Sequence, residues 1–218
     1  MKKQPNPIIL SRGNAKINKA LIWNLPAGET CPGATKLCKQ VCYAKAAAIL
    51  HSNCVPQSRA LHLELAKRKD FAALMIQKLD RARLRRMRIH ESGDFFNQTY
   101  LNAWVKIIKA HPEYTFWAYT KSYKLDFTEA LKLKNLSLRY SVDVTTKHHP
   151  KQSMPFAATS ESKEGDFVCP STLVKGHSIQ CMKDCSFCVE SKESMIFRPH
   201  GKKAKLVGIT ELQSTLKL

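Results

Sequence analysis

Between Arg86 and Asp143 the chain alternates strand-like and helix-like segments, and this alternation restricts the fold more than any other feature. "RMRIHES" is a strand that ends at Gly93. Asn97 follows as an N-cap, and Tyr100, Leu101, Trp104, Val105 and Ile108 recur at the spacing of one helix face. "EYTFWAYT" is a second strand, "DFTEALKLKN" a short helix with Asp126 near its start, and "LSLRYSVDV" a third strand. This order implies parallel strands joined by right-handed crossovers. The expected fold class is α/β, a partial parallel (βα) barrel with cysteine-rich loops near both termini. The 218 residues make one α/β domain, 1–218; a complete eight-stranded barrel usually needs about 250.

The flanks are read more coarsely. Within residues 8–25, "IIL" and "ALIWNL" are short strands around the "SRGN" turn, and residues 43–50 are helical. A long helical region begins at Ser58 and is split at Asp70, an expected N-cap ahead of Phe71, Leu74, Met75 and Leu79. Residues 150–168 form loop with one short strand.

Eight cysteines fall in two groups. Cys31, Cys38, Cys42 and Cys54 are spaced C-x6-C-x3-C-x11-C, and Cys169, Cys181, Cys185 and Cys188 are spaced C-x11-C-x3-C-x2-C. A disulfide framework needs an oxidising compartment, and "MKKQPNPIILS" has no apolar run of the kind a signal peptide carries. Structural zinc needs four soft ligands and usually shows paired C-x2-C knuckles, a gap found here only at Cys185–Cys188. An iron–sulfur cluster takes one thiolate per iron and accepts wide, uneven spacings. The expected cofactor is therefore an iron–sulfur cluster of the [4Fe–4S] type, one or two per chain, held by all eight cysteines; zinc is the alternative.

The triplet at 181–188, with Phe187 before its last cysteine, resembles the motif of the radical S-adenosylmethionine superfamily. That resemblance implies three irons held by cysteine and a fourth that binds the cofactor. Here the motif lies near the C-terminus rather than at the start of the barrel, and Cys169 is available to close the fourth position, which would exclude S-adenosylmethionine. "LSRGNAKI", "LPAGETCPGATKLCKQVCYA", "RIHESGDFF", "FWAYTKS" and the C-terminal triplet followed by "MIFRPHGKKAK" together resemble the phage gene-product-eighty-eight domain family. The resemblance covers most of the chain. It implies a small phage or prophage protein with bound metal clusters, working in the cytoplasm of the bacterial host, and it carries no activity with it.

The charge balance points to a partner. Lys and Arg number 36 against 17 acids, a formal +19, concentrated in "KRK" at 67–69, "RARLRRMR" at 81–88 and "GKKAK" at 201–205. Such an excess suits a phosphate-bearing polymer, DNA or RNA, with Arg81, Arg83, Arg85, Arg86, Lys202 and Lys203 as the contact candidates. No run approaches the length of a membrane span, so no membrane is expected.

Ligands of parallel α/β folds gather where strands end. "HESGD" (His90 to Asp94) occupies such an end, and Gly93 allows a sharp turn there. Glu91 and Asp94 are candidates to bind a cationic or hydroxyl group. Lys121 is a candidate to hold a phosphate or to pair with an acid of "HESGD". His148 and His149, just before Pro150, are a loop pair. No Ser-His-Asp order, P-loop or dinucleotide fingerprint is present. Two main functions fit. One is a binding module whose closed clusters order long loops while a basic face grips nucleic acid. The other is a radical-SAM-like enzyme acting on nucleic acid or a phosphorylated substrate, with Glu91, Asp94 and Lys121 in its site. A zinc-stabilised DNA-binding protein is a third reading.

Overall fold

The computed structural model describes residues 6–14, 16–17, 19–160, 164–173 and 179–199. Its centre is a six-stranded sheet in which β1 (Leu21–Trp23), β2 (Arg86–Ile89), β3 (Thr115–Thr120), β4 (Leu136–Asp143), β5 (Phe156–Thr159) and β6 (Met195–Phe197) pair in sequence order. Every pair is parallel. An order without reversal is that of an open barrel wall, whereas a doubly wound sheet would switch direction. β1 and β6 are its two edges. Of the segments expected to be strands, "IIL" is not one: Ser11 makes an isolated antiparallel bridge to Ile22. β6 was not anticipated, because three residues after a cysteine loop carry too short a pattern to read.

The helices are α1 (Lys36–Val41), α2 (Tyr43–Leu50), α3 (Val55–Lys67), α4 (Phe71–Asp80), α5 (Gln98–Ala110), α6 (Thr128–Leu131) and α7 (Phe187–Glu190). α5 forms where its apolar spacing says it should. Asn97 is extended and its side chain accepts from the Tyr100 amide at 2.8 Å, and Tyr100, Leu101, Trp104, Val105, Ile107 and Ile108 are buried. Asp70 precedes α4 but does not cap it by its side chain; its carboxylate is taken by Arg68 through two bonds of 2.7 Å. Near α6, Asp126 accepts from the Thr128 amide at 2.9 Å and the Thr128 hydroxyl at 2.6 Å.

Strand alternation gives the sheet two different faces. Leu21, Trp23, Met87, Ile89, Phe116, Ala118, Leu136 and Leu138 enter one large core with Phe71, Met75, Tyr100 and Trp104 from the helices. The opposite, concave face carries Arg88, Trp117, Tyr119, Ser137 and Arg139, in register as Arg88–Trp117–Ser137 and Tyr119–Arg139. The C-terminal cysteine segment covers this second face: Val189 packs with Ala20 and Trp117, and Cys169 with Ala157 and Met195. That segment also reaches both sheet edges. The Cys169 amide donates to Ile196 of β6 at 2.9 Å, and the Cys181 amide donates to Lys16, ahead of β1, at 2.8 Å.

Asn97→Ala is expected to lower stability by about 1 kcal/mol in urea denaturation, the usual cost of losing a side-chain cap. Asp70→Ala is expected to leave the urea midpoint close to that of wild type, because its partner is an exposed arginine.

Candidate functional site

The first cysteine loop leaves the carboxyl end of β1 and lies over the ends of β2, β3 and β4. The backbone there permits no slack. A β-carbon on Gly33 would fall 1.6 Å from the Lys121 carbonyl oxygen, so the loop rests directly on the end of β3. Gly93 has φ +83°, and a β-carbon there would meet Leu25 at 2.5 Å and the Thr30 hydroxyl at 2.6 Å. Asn24 accepts from the amides of Glu91 and Ser92 at 2.8 and 3.0 Å, which stitches β1 to the "HESGD" turn.

Three thiols of this loop come together. Cys31 lies within electrostatic reach of Cys38, Cys42 and Asp94, and Cys38 within reach of Cys42, Lys121, Asp143 and Asp94. Burial pushes the Cys31 thiol up to about 11 and raises Cys38 as well. Left without a metal, both are protonated at neutral pH. α1 helps set them: Thr35 caps it by accepting from the Cys38 amide at 3.0 Å, and the same hydroxyl donates to Asp143 at 2.7 Å. Cys54 stands elsewhere. It is exposed at the start of α3, with its sulfur 3.8 Å from the His51 carbonyl oxygen.

The second group is drawn into one region: Cys169 and Cys188 pack in one cluster, Cys181 bridges Cys185, and Met182 packs with Cys188. Burial pushes Cys181 up to about 11 and raises Cys188. The backbone turns tightly at Met182 (φ +65°), whose amide donates to Cys185 at 2.9 Å. Among the described residues no three His, Cys, Asp or Glu side chains approach closely enough to hold a single metal ion.

The polar candidates separate into different roles. Asp94 is buried, and it accepts from the Thr120 hydroxyl, the Lys121 amide and the Phe95 amide, each at 2.7 Å. Lys121 meets "HESGD" only through that amide; its ammonium goes to Asp143 at 2.7 Å and to the Ser141 carbonyl at 3.0 Å. Burial opposes the charge on Asp143, but Lys121, Thr145 and Thr35 outweigh it and hold the carboxyl below its ordinary value. Glu91 is half-buried, and Asn14 and, at 3.5 Å, Asn24 donate to its carboxylate. The exposed ring of Tyr43 turns its hydroxyl onto the Glu91 carbonyl. His148 stacks on Tyr123 at 4.7 Å and His149 lies 5.6 Å from Tyr140, so both are ring contacts of the loop.

A profile of the gene product 88 family matches residues 8–191. The chain belongs to that family. It is 28% identical over 219 aligned residues to the gene 88 protein of Mycobacterium phage D29, covering 85% of this chain and 89% of that one. It is 32% identical over 144 residues to the gene 88 protein of Mycobacterium phage L5, covering 60% of each. No solved structure matches. The family match takes in the whole first cysteine loop, "HESGD" and the second cysteine group. No helix among the described residues is long and apolar enough to cross a membrane.

The basic candidates lie at the other end of the sheet. Arg81, Arg83 and Arg85 are exposed in the connection from α4 into β2, and Arg86 opens β2 at its amino end. Arg85 is partly committed, donating to the Tyr114 hydroxyl at 2.8 Å and to the Ala82 carbonyl. Lys202 and Lys203 lie outside the described residues. Sequence reasoning missed Arg88, Tyr119 and Arg139. Their signal was present in the alternation of "RMRI", "FWAYT" and "LSLRYS", which sets polar side chains on one face of strands expected to be apolar on both.

Burial pushes the Asp94 carboxyl up to about 6, against the hydrogen bonds from Lys121, Thr120 and Phe95. An unfolded aspartate ionises near about 4. From there to about 6 the native chain therefore keeps a proton that the unfolded chain has lost. The stability this group contributes is full below about 4 and is lost as pH rises through about 6. Urea titrations at pH 4 and pH 7 are expected to show wild type losing about 3 kcal/mol relative to Asp94→Asn across that interval.

Proposed function

We propose that this gene product 88 chain is an iron–sulfur enzyme of the radical-SAM-like type, with its open cluster on Cys31, Cys38 and Cys42 at the carboxyl ends of the strands. The observation that carries this reading is the division of the first cysteine group: three thiols share one neighbourhood with Asp94, and Cys54 points to the His51 carbonyl instead. Three thiolates on a four-iron cluster leave one iron without a protein ligand.

The donor set fits a cluster better than a single ion. Sulfurs 2.3 Å from one tetrahedral zinc sit only about 3.8 Å apart. The described side chains offer no such tight group, and a cluster takes one thiolate on each of several irons, so its thiols lie farther apart. When bound, the cluster supplies an electron and an iron at which S-adenosylmethionine can chelate. Among the acids of "HESGD", Glu91 is the one free to meet that cofactor's ammonium, because it is half-buried and, among the described residues, its carboxylate is held by neutral Asn14 and Asn24. Asp94 is fully engaged by Thr120, Lys121 and Phe95 and serves to position β3 against the turn. Lys121 and Asp143 neutralise one another and brace α1 under Cys38 through Thr35.

The net +19 favours a second, compatible reading in which the partner is nucleic acid. Arg81, Arg83 and Arg86 are the described side chains that carry it; Arg85 contributes less because Tyr114 holds it.

Anaerobically purified protein is expected to be brown and to contain iron and sulfide, and Cys38→Ala to remove one cluster's iron while leaving the other's. Adding S-adenosylmethionine to the reduced protein is expected to change the electron paramagnetic resonance spectrum and release 5′-deoxyadenosine, both lost in Cys38→Ala. Colourless protein with two zinc ions per chain defeats the reading. For the nucleic-acid reading, replacing Arg81, Arg83 and Arg86 by Gln is expected to weaken DNA or RNA binding and to flatten its salt dependence. The slope of log affinity against log salt should fall by about 0.9 for each arginine that neutralises a duplex phosphate. An unchanged slope would show that the basic connection makes no phosphate contact.

A further inference from the structure

We infer that Cys169, Cys181, Cys185 and Cys188 form a separate, closed tetrathiolate metal centre of net charge about −2, and that Arg139 and Arg88 are its counter-cations. The starting point is an imbalance on the concave face. Arg139 has no exposed surface. Its guanidinium donates to Glu193, Cys188, Phe187 and Ser191 carbonyl oxygens and to the Ser137 hydroxyl, at 2.7 to 3.5 Å. All these acceptors are neutral. No carboxylate of the described residues makes an ion pair with it. The nearest acid in sequence, Asp143, is paired with Lys121, and the acids of the segment that supplies these acceptors, Glu190 and Glu193, are exposed. A buried charge satisfied by dipoles alone is costly to hold.

Arg88 repeats the imbalance two strands over. It is half-buried, its Nε donates to the His90 carbonyl at 3.0 Å, and its guanidinium lies 4.2 Å from the centre of the Tyr119 ring. It too makes no ion pair among the described residues. Both cations lie beside Cys188: Arg139 donates to its carbonyl at 3.0 Å, and Arg88 sits over the Tyr119 ring, which packs in one cluster with Cys188. Four protonated thiols would leave these cations uncompensated. Four thiolates around a dipositive four-iron core carry about −2. Two guanidinium groups balance it.

The site is closed because packing and pairing tie all four cysteines to one region, Cys169 to Cys188 and Cys181 to Cys185, with Met182 against Cys188, which separates it from the three-thiol mouth. It shares with the reading above only the premise that the thiols bind metal. Arg139 and Arg88 act through the sulfurs and are positioning residues.

The test uses full-length Cys38→Ala protein, so that bound metal belongs to the C-terminal group. Iron and zinc are counted after titration with EDTA. Arg139→Gln and Arg88→Gln are expected to release metal at about 10- to 100-fold lower chelator, in the range seen when outer contacts of a metal site are lost. Arg139→Lys and Arg88→Lys keep the charge and are expected to stay close to the parent. If Arg139→Gln does not fold, the Arg88 pair decides, because that side chain is half-buried and outside the main core. Equal retention by Gln and Lys variants would reduce both arginines to clamps and overturn the proposal, as would Cys38→Ala protein that holds no metal. Metal retained in Cys38→Ala alongside a wild type indifferent to S-adenosylmethionine would sink the enzymatic reading and leave this one standing.

Discussion

Arg139 is a full positive charge placed in the middle of a strand with no access to water, and the concave half of the molecule is arranged around it. Its fork reaches backbone carbonyls along 187–193, so a segment with little regular structure is fixed to the sheet at several points. α7 has only four residues and could not persist by itself. The guanidinium meets the carbonyls of its first two residues, Phe187 and Cys188, and of Ser191 just beyond it, and lies 5.5 Å from the Phe187 ring. Packing alone would not hold this layer, since the apolar contacts beneath it are few compared with the helix-side core.

The two faces of the sheet therefore solve burial differently. On one side, helices supply a conventional apolar layer. On the other, a cysteine-bearing loop does the covering, and it spans from β6 to the segment ahead of β1. A closed barrel would put further strands between these edges. Here the cysteine-bearing segment touches both edges instead, through Cys169 to Ile196 and through Cys181 to Lys16.

Much of the central wall was legible in the sequence. The α5 periodicity, its Asn97 cap and the order of β2, β3 and β4 all follow from local pattern, because strand and helix signals there run long enough to exceed the noise of single residues. Shorter pieces were not legible. β6 spans three residues, and the lead-in "IIL" looks apolar enough for a strand but meets only one bridge. Asp70 failed as a side-chain cap because Arg68, two residues away, offers its carboxylate a better partner. For the candidate site, spacing grouped the cysteines but could not show that Cys54 stands apart, since loop geometry depends on what the loop rests upon. The polar concave face was visible as alternation at Arg88, Ser137 and Arg139, yet without the third layer there was nothing to say which face would be covered.

The arginine-rich connection opens onto the amino ends of the strands, and the first cysteine loop onto their carboxyl ends. β3 alone has six residues, so the two regions are about 20 Å apart at roughly 3.3 Å per residue. Under the nucleic-acid reading, a polyanion on Arg81 and Arg83 would rest at the far end of the strands from the first cysteine loop. Such an electrostatic hold would be a mooring rather than a clamp: it would fix the protein alongside a polymer and leave the first cysteine loop facing outward, toward a different stretch of that polymer or toward another molecule altogether.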